Sequence, residues 1–480
     1  MGSEARPDVK VVMKFGGSSV ASAERIKNVA DRVKGSGRGH KVVVVCSAMG
    51  DVTDELLALC ADASKGLEEP VEERLASIRE MHVAALIATV VEKSIWRQVS
   101  AVLNVTLSQL EKLARGSTVL GELTPRSRDA ILSCGERLSN PIVWGALLER
   151  GMDAVYMTGG EAGIMTDDRF GDASPLMEVT TFQVREKLYP LLAEGKTPVV
   201  TGYIGATQSG DTTTLGRGGS DLTGTIIAYA IDADEVWIWS DVDGLMTADP
   251  KMVPNARVLR EISYEEAGEM AVFGAKALHP RTLEPVAEKG IPVRFRNTFK
   301  PADQGTVVKR NPKLYSKNAV KAVALVKEVA VITVAGASMV GKPGSAARIF
   351  DVMGRSGINV LMISQSVSES NISMVVARSS MEKGANALEL ALLGQGGFRH
   401  IHTENDVSAV AVVGGGVRSI KGIAANAFGA VAAKGINVRI IASGSSNQNL
   451  SLVVAEKDAK ETVRAIHSAF HLDRLNSRAG

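Results

Sequence analysis

Aromatic residues make up only 4% of this 480-residue chain, cysteines number three, and 55 Lys+Arg against 53 Asp+Glu leave a formal net charge of +2. Each shortage excludes something. Few aromatic rings argue against stacking platforms for single strands, and a nearly balanced charge leaves no electrostatic footprint for a phosphate backbone, so no nucleic-acid partner is expected. Cys46, Cys60 and Cys134 are widely spaced and lack histidines at metal-ligand spacing, which reads as buried thiols in a reducing compartment and gives no metal site. No apolar run reaches membrane-spanning length, so no membrane partner is expected. The polar start MGSEARPDVK has no secretory core, and Arg6 stands where a myristoylation signal needs Ser or Thr. A cytoplasmic location follows. What is present, 45% hydrophobic and 22% charged residues, is ordinary for a globular protein.

The stretch Thr213 to Asp221, TTLGRGGSD, has the strongest character of a site. Gly216, Gly218 and Gly219 surround Arg217, so the backbone there can approach a ligand closely. Ser220 and Asp221 precede an apolar, small-residue run and are the expected N-cap and first turn of a helix. Helix N–H groups and the Arg217 guanidinium would converge on one anion.

Similar turns occur upstream. Val9 to Phe15 reads as a buried strand ending at Gly16, Gly17, Ser18 and Ser19, with a helix expected from about Ala21 to Lys34 and Ser22 as its cap. Strand, glycine turn, helix is a phosphate-cradle order, and Lys14 stands where its ammonium can reach the held anion. Lys41 to Cys46, KVVVVC, has the continuous valines of a strand covered on both faces, hence an α/β layer with a parallel or mixed sheet. It runs into Ser47 and Thr53.

Asp54 to Gly116 is helical in pattern. Glu122 to Leu148 reads as one helix, with Arg128 among the charges beside its apolar stripe and Glu136 placed to reach a cleft. Further strands are expected at Pro198 to Thr201, Glu235 to Ser240 and Ile291 to Asn297, the last of this unit. The acidic turn after Ser240, DVDGLMTADPK, fails the calcium-loop template because no acid stands at its twelfth position. Ile262 to Ala277 should be a helix carrying Lys276 at its end, with His279 and Pro280 as terminators, and Lys300 to Ser316 reads as linker.

The remaining third is an internal repeat. Val329 to Val376 aligns with Val407 to Val454 without a gap, at an offset of about 78 residues. Gly357-Ile358-Asn359-Val360 matches Gly435-Ile436-Asn437-Val438, and Asn371 matches Asn449. Each copy reads as a small α+β module. Within the first, GASMVGK at Gly336 to Lys342 imitates a P-loop, but Pro343 replaces the required hydroxyl and the second copy reads GGGVRSIK, so the stretch is a strand-to-helix loop.

Two lysines, an arginine, a capping aspartate and glycine turns, without an evident base, suit phosphoryl transfer to an acceptor that is already anionic. KFGGSS, VVVVCSAMG, SCGERLS, VVTGYIG, TTLGRGGSD, WSDVDGLMTADP and FGAKALHP, in this order from about Val9 to Val308, together resemble the aspartate kinases of the amino acid kinase family. The repeated modules resemble the tandem ACT domains of the monofunctional members. The implied fold is an amino acid kinase-type α/β/α sandwich over 1–312, followed by two ferredoxin-like α+β ACT domains, one at 329–402 and one formed by 316–328 with 403–480. A homoserine dehydrogenase partner domain is not expected within the chain.

The resemblance implies transfer of the ATP γ-phosphoryl group to the β-carboxylate of L-aspartate, with Mg2+ on the nucleotide phosphates. It assigns catalysis to Lys14, Asp221 and Lys276, and substrate contacts to Ser47, Thr53, Glu136, Arg217, Gly218, Gly219 and Ser220. Lys14, Lys276, Gly16, Gly17, Ser18, Ser240, Asp241, Met246 and Lys251 fall on the nucleotide side. Departures occur there: Met246 replaces a frequent Tyr, and TADPK a frequent TTDPR. Gly344, Ala346, Ile358, Gln365, Asn437 and Val438 match an amino-acid effector site, for threonine or lysine. Leu361 and Val367 stand where lysine-sensitive relatives have acids, which favours threonine. ACT pairing between chains implies a homodimer or larger assembly.

Overall fold

The computed structural model describes residues 9–37, 39–272, 278–312, 320–336, 339–392, 400–417, 419–443 and 448–474. Contacts divide the chain into two compact units. The first comprises Met1–Leu245, Arg260–Tyr264 and Ala277–Pro312; the second comprises Met246–Leu259, Glu265–Lys276 and Lys313–Gly480.

The first unit runs β1 (Val9–Phe15), α1 (Ala23–Gly37), β2 (His40–Cys46), α2 (Val52–Ala63), α3 (Glu68–Thr89), α4 (Lys93–Leu120), α5 (Pro125–Leu132), α6 (Cys134–Glu149), β3 (Ala154–Met157), α7 (Met177–Ala193), β4 (Thr197–Thr201), β5 (Ile204–Ala206), β6 (Thr212–Thr214), α8 (Gly219–Ala230) and β7 (Glu235–Ser240). After it come β8 (Glu261–Ile262), α9 (Tyr264–Val272, mostly in the second unit), α10 (Pro280–Lys289), β9 (Val293–Asn297) and β10 (Thr306–Val308). Eight strands form one sheet in the order β3-β4-β2-β1-β7-β9-β10-β8, parallel except for the β9–β10 pair. Val42 to Cys46 and the whole of β4 are buried, as strands sandwiched between helix layers must be. On α1, Ile26, Val29, Ala30 and Val33 are buried at helical spacing, and the Ser22 hydroxyl accepts the Arg25 N–H at 3.3 Å.

The chain passes from β1 to β2 on one side and returns to β7 on the other. The sheet order therefore reverses beside β1, and a crevice opens beyond the strands' carboxyl ends.

Four expectations change. The single helix over 122–148 is two, because Ser133 ends α5 and α6 starts at Cys134. The segment read as linker contains β10, whose Thr306 hydroxyl accepts the Leu245 N–H at 2.9 Å. Ile262 belongs to a strand, and the described part of the following helix ends at Val272. His279 and Pro280 open α10, where proline at the first position is favoured.

The second unit adds β11 (Ala322–Ala335), α11 (Ser345–Arg355), β12 (Val360–Gln365), β13 (Asn371–Ala377), α12 (Met381–Leu392), β14 (His400–Val413), α13 (Ile423–Ala432), β15 (Ile440–Ala442), β16 (Asn449–Ala455) and α14 (Ala459–Ala469). Its sheet has the order β12-β13-β11-β14-β16-β15. β11 and β14 are long because each serves both modules. Ala322 to Val326 pairs with Val413 to Ala409, and after register shifts around Glu328, which has φ 56°, Val331 to Ala335 pairs with Glu404 to His400. Gly336 N–H bonds Ser370 O at 2.9 Å in the first copy, and Gly414 N–H bonds Gln448 O at 2.8 Å in the second, so the repeat in sequence is a repeat in structure.

Candidate active site

A cavity of about 610 Å³ lies in the first unit, where the ends of β1, β2 and β6 meet α2, α5, α6 and α8. Lys14, Ser47, Thr53, Glu136, Arg217 and the run Gly218 to Asp221 all line it. The two glycine turns are built differently. A Cβ on Gly17 would fall 2.9 Å from Gly50 O and 3.0 Å from Ala48 O, so glycine lets the turn after β1 lie against the loop after β2. Gly218 has φ 75° and is itself the N-cap of α8, so Ser220 is not the cap but stands, with Asp221, in the first turn, where Asp221 was expected. The Asp221 carboxylate lies 2.5 Å from the Lys14 ammonium, with side chains only 15% and 9% exposed.

Glu136 is placed by its own helix. The buried Ser139 hydroxyl donates to Ser47 O at 2.8 Å, and Asn140 Nδ2 donates to Cys46 O at 3.1 Å, so α6 is stapled to the end of β2. Glu136 is 3% exposed; the Ser220 hydroxyl is 3.5 Å from its Oε1, and its Oε2 is buried without a partner. Burial pushes its carboxyl up to about 8, against the smaller opposing effects of the Ala48 N–H and Lys14. A buried acceptor without a donor is costly, and an ammonium group would satisfy it.

Gly16 spends its N–H on Trp239 O at 3.0 Å, leaving Gly17 and Ser18 to open the turn. Ser240 and Asp241 follow β7: Ser240 O accepts the Thr298 N–H at 2.8 Å, and Asp241 O accepts from Asn297 Nδ2 at 3.3 Å. Neither lines the cavity. Met246 bridges to Val258, and the Lys251 N–H is held by Asp249 at 2.9 Å, both in the segment that belongs to the second unit. Lys276 lies outside the described residues.

Sequence patterns give no reason to single out Asp54, Gly171 or Tyr203, which also line the cavity, and offer Arg128 only as a helix charge. Their signal is tertiary. Arg128 and Asp54 look like solvated helix residues until α5 and α2 are packed side by side.

In the second unit a cavity of about 330 Å³ is lined by Gly344, Ala346 and Gln365 together with Met339, Lys342 and Glu369. Gly344, with φ 87°, is the N-cap of α11. Ile358, expected there, is 6% exposed in the apolar core with Ile349 and Met353 and does not line the cavity. Asn437 and Val438 also lie off its lining, in the turn before β15. The edge strands β12 and β15 nevertheless approach within 8 Å between Cα atoms, so the sheet curls to bring its two ends together.

The amino acid kinase family profile matches residues 9–297, and the ACT domain profile matches twice, over 332–392 and 410–470, the offset the repeat requires. The aspartokinase of Corynebacterium glutamicum is 35% identical over 470 residues, covering 96% of each chain. This chain belongs to the aspartokinase family. Aspartokinase 1, chloroplastic, of Arabidopsis thaliana is 35% identical over 475 residues, 96% of this chain and 80% of the relative. Among solved structures, E. coli aspartokinase III in complex with aspartate and ADP in the R-state superposes with a TM-score of 0.82 at 31% identity, covering 96% of this chain and 99% of that one. The T-state complex of the same enzyme with lysine and aspartate gives 0.76. The aspartokinase fold, a kinase domain of amino acid kinase type with ACT domains, is therefore the one observed, and the protein is a kinase.

Proposed function

We propose that the chain transfers the γ-phosphoryl group of magnesium-bound ATP to the β-carboxylate of L-aspartate, giving aspartyl 4-phosphate and ADP, and so opens the route to lysine, threonine and methionine. The observation that carries this reading is one cavity lined by three cationic side chains, Lys14, Arg128 and Arg217, and by the buried carboxyl of Glu136. An amino-acid dicarboxylate offers the complementary set. Arg217 takes the α-carboxylate in bidentate fashion, and Glu136 takes the α-ammonium, with Ser47, Thr53, Ser220 and the glycines Gly218 and Gly219 closing the pocket.

The acceptor oxygen is ionised at neutral pH and needs no base, so catalysis is positioning and charge neutralisation. Lys14 neutralises the transferring group, and Asp221, paired with it at 2.5 Å, fixes the ammonium in place. Gly16, Gly17 and Ser18 form the turn that faces the phosphates, which bring Mg2+ with them as part of the substrate. Ser240, Asp241, Met246 and Lys251 are assigned to the nucleotide by resemblance, and Lys276 to the phosphoryl group.

The 330 Å³ cavity takes an amino-acid effector. Threonine is favoured over lysine: Leu361 and Val367 supply no carboxylate, and Glu369, the acid among the described residues lining the cavity, is already held by the Gly341 N–H at 2.8 Å. Pairing of chains as a homodimer through ACT edges is supported by exposed Ile363 and Val367 at and beyond β12. Three buried free cysteines and no helix, among the described residues, long and apolar enough to cross a membrane favour the cytoplasm.

The deciding experiment is ADP formation from Mg-ATP with aspartate, and separately with glutamate, with and without threonine or lysine. Aspartate-dependent turnover suppressed by threonine is expected. No turnover with either acid, in protein that still binds an effector, would make the chain a silent regulatory subunit.

A further inference from the structure

Asp129 on α5 is 0% exposed, yet it is a carboxylate outside every role assigned above. Its Oδ2 accepts the Gly171 N–H at 3.0 Å and the Thr214 N–H at 2.9 Å, and its Oδ1 accepts the Thr214 hydroxyl at 2.9 Å. Three donors from two distant segments thus end on one buried group. Gly171 lines the acceptor cavity, and so does Arg128, the residue before Asp129. Thr214 is the last residue of β6, three positions before Arg217.

Arg217 stands on backbone that does little to fix it. Gly216 has φ 71° and Gly218 has φ 75°, so the guanidinium is flanked by two left-handed glycines without side chains to restrain them. Its place depends on the anchors at either end. Downstream, α8 is held through the Thr223 hydroxyl, which donates to Gly219 O at 2.9 Å and accepts the Tyr203 N–H at 3.0 Å. Upstream, Leu215 N–H bonds Tyr203 O and Ala173 N–H bonds Thr214 O, both at 2.9 Å, and Asp129 fixes Thr214 through its N–H and its hydroxyl.

We propose that Asp129 is a positioning residue for the acceptor carboxylate: it ties the Gly171 wall to the β6 end and thereby sets where Arg217 stands. The inference rests on the reading of Arg217 as the aspartate ligand. A burial this complete would cost less with an apolar side chain if filling space were the only need. A carboxylate with two oxygens is what can gather an N–H and an O–H from one strand end and a second N–H from another loop.

The test uses the full chain with Asp129→Asn and Thr214→Val, and initial rates over aspartate and over ATP. Asp129→Asn keeps the size but turns an NH2 toward donors, leaving at least one of them unpaired. The aspartate KM should rise about tenfold or more while the ATP KM stays within about twofold and kcat falls less than KM rises. Thr214→Val removes one donor only and should raise the aspartate KM about threefold. The double variant should be no worse than Asp129→Asn, since both break the same tie. An unchanged aspartate KM overturns the proposal, as does a parallel loss in both KM values and in Tm, which marks a merely structural group. Should Asp129→Asn fail to fold, Thr214→Val decides by the same criterion. Absence of aspartate-dependent turnover in the wild type would sink the functional reading itself; turnover in the wild type with indifferent variants sinks only the role of Asp129.

Discussion

Among the described residues, two lysine–carboxylate pairs lie under cover, one in each unit, and one of them borders a cavity. Lys14 and Asp221 are 2.5 Å apart with side chains 9% and 15% exposed; Lys321 and Glu266 are 2.7 Å apart at 9% and 2%. The chemistry is the same. Around the second pair the remaining valence is filled, because the other Glu266 oxygen accepts the Gly415 N–H at 2.5 Å and neighbouring Glu269 accepts from Asn449 Nδ2. The first pair faces the 610 Å³ cavity, where both partners remain available to a ligand. A buried pair adds little net stability over apolar packing, but losing one partner strands a charge. The same pair beside a cavity is preorganised electrostatics for a charge that arrives later. On the proposed reading, what separates a fastening from a catalytic device here is the space next to it.

The largest effect that would break this comparison is in the second unit. Glu266→Ala strands Lys321 and should cost about 3–5 kcal/mol of stability, read as a fall in Tm or in the denaturation midpoint. A loss near zero would mean that this pair also has solvent to fall back on. Lys14→Ala should cost roughly 3 kcal/mol in the transition state, about a hundredfold in kcat, with a much smaller change in Tm. Turnover within about twofold of wild type would remove Lys14 from the mechanism. The two variants together sharpen the contrast, since one loses the fold's reserve and the other its chemistry.

Smaller effects probe the cavity's other charges. Arg217→Ala should raise the aspartate KM by about tenfold or more and leave the ATP KM nearly unchanged. Were only the ATP value to move, its ligand would be the nucleotide. Glu136 supplies a pH signature. Burial pushes its carboxyl up to about 8, and the proposed pairing with the aspartate ammonium needs it ionised, so aspartate affinity should rise with pH and level off above about 8. Glu136→Gln should flatten that profile. The sign for stability is opposite: a carboxyl raised by burial contributes most below its unfolded value, and that contribution is lost as pH rises through the folded value near 8. Glu136→Gln should therefore gain stability relative to wild type as the pH is raised, measured as Tm against pH.

Much of the site was legible before any fold was known. Glycines around Arg217, the Gly16–Gly17 turn after β1 and the valine-rich strands are signals carried by neighbouring residues, and each corresponds to a turn or strand at the crevice. Glu136 was legible only as a candidate, because nothing near it in sequence shows that Ser139 and Asn140 pin its helix to the end of β2. Arg128 was legible only as a helix charge and not as a cavity residue, because its place there depends on how α5 packs. β10 hid in a stretch rich in proline, glycine and lysine because a three-residue strand has too little pattern to detect.

The repeat shows the same division. Its two copies share the bond from Gly336 to Ser370 and from Gly414 to Gln448, yet the first copy opens into a cavity while the Gly415 loop of the second meets Glu266 of α9. By itself the sequence determined the strands, the glycine turns, the doubled module and the kind of chemistry, since periodicity and local backbone freedom are properties of adjacent residues. Only the tertiary structure decided which charges share a cavity, why burial raises the Glu136 carboxyl and which lysine pair is closed off, because desolvation and the distance between charges are set by segments far apart in the chain.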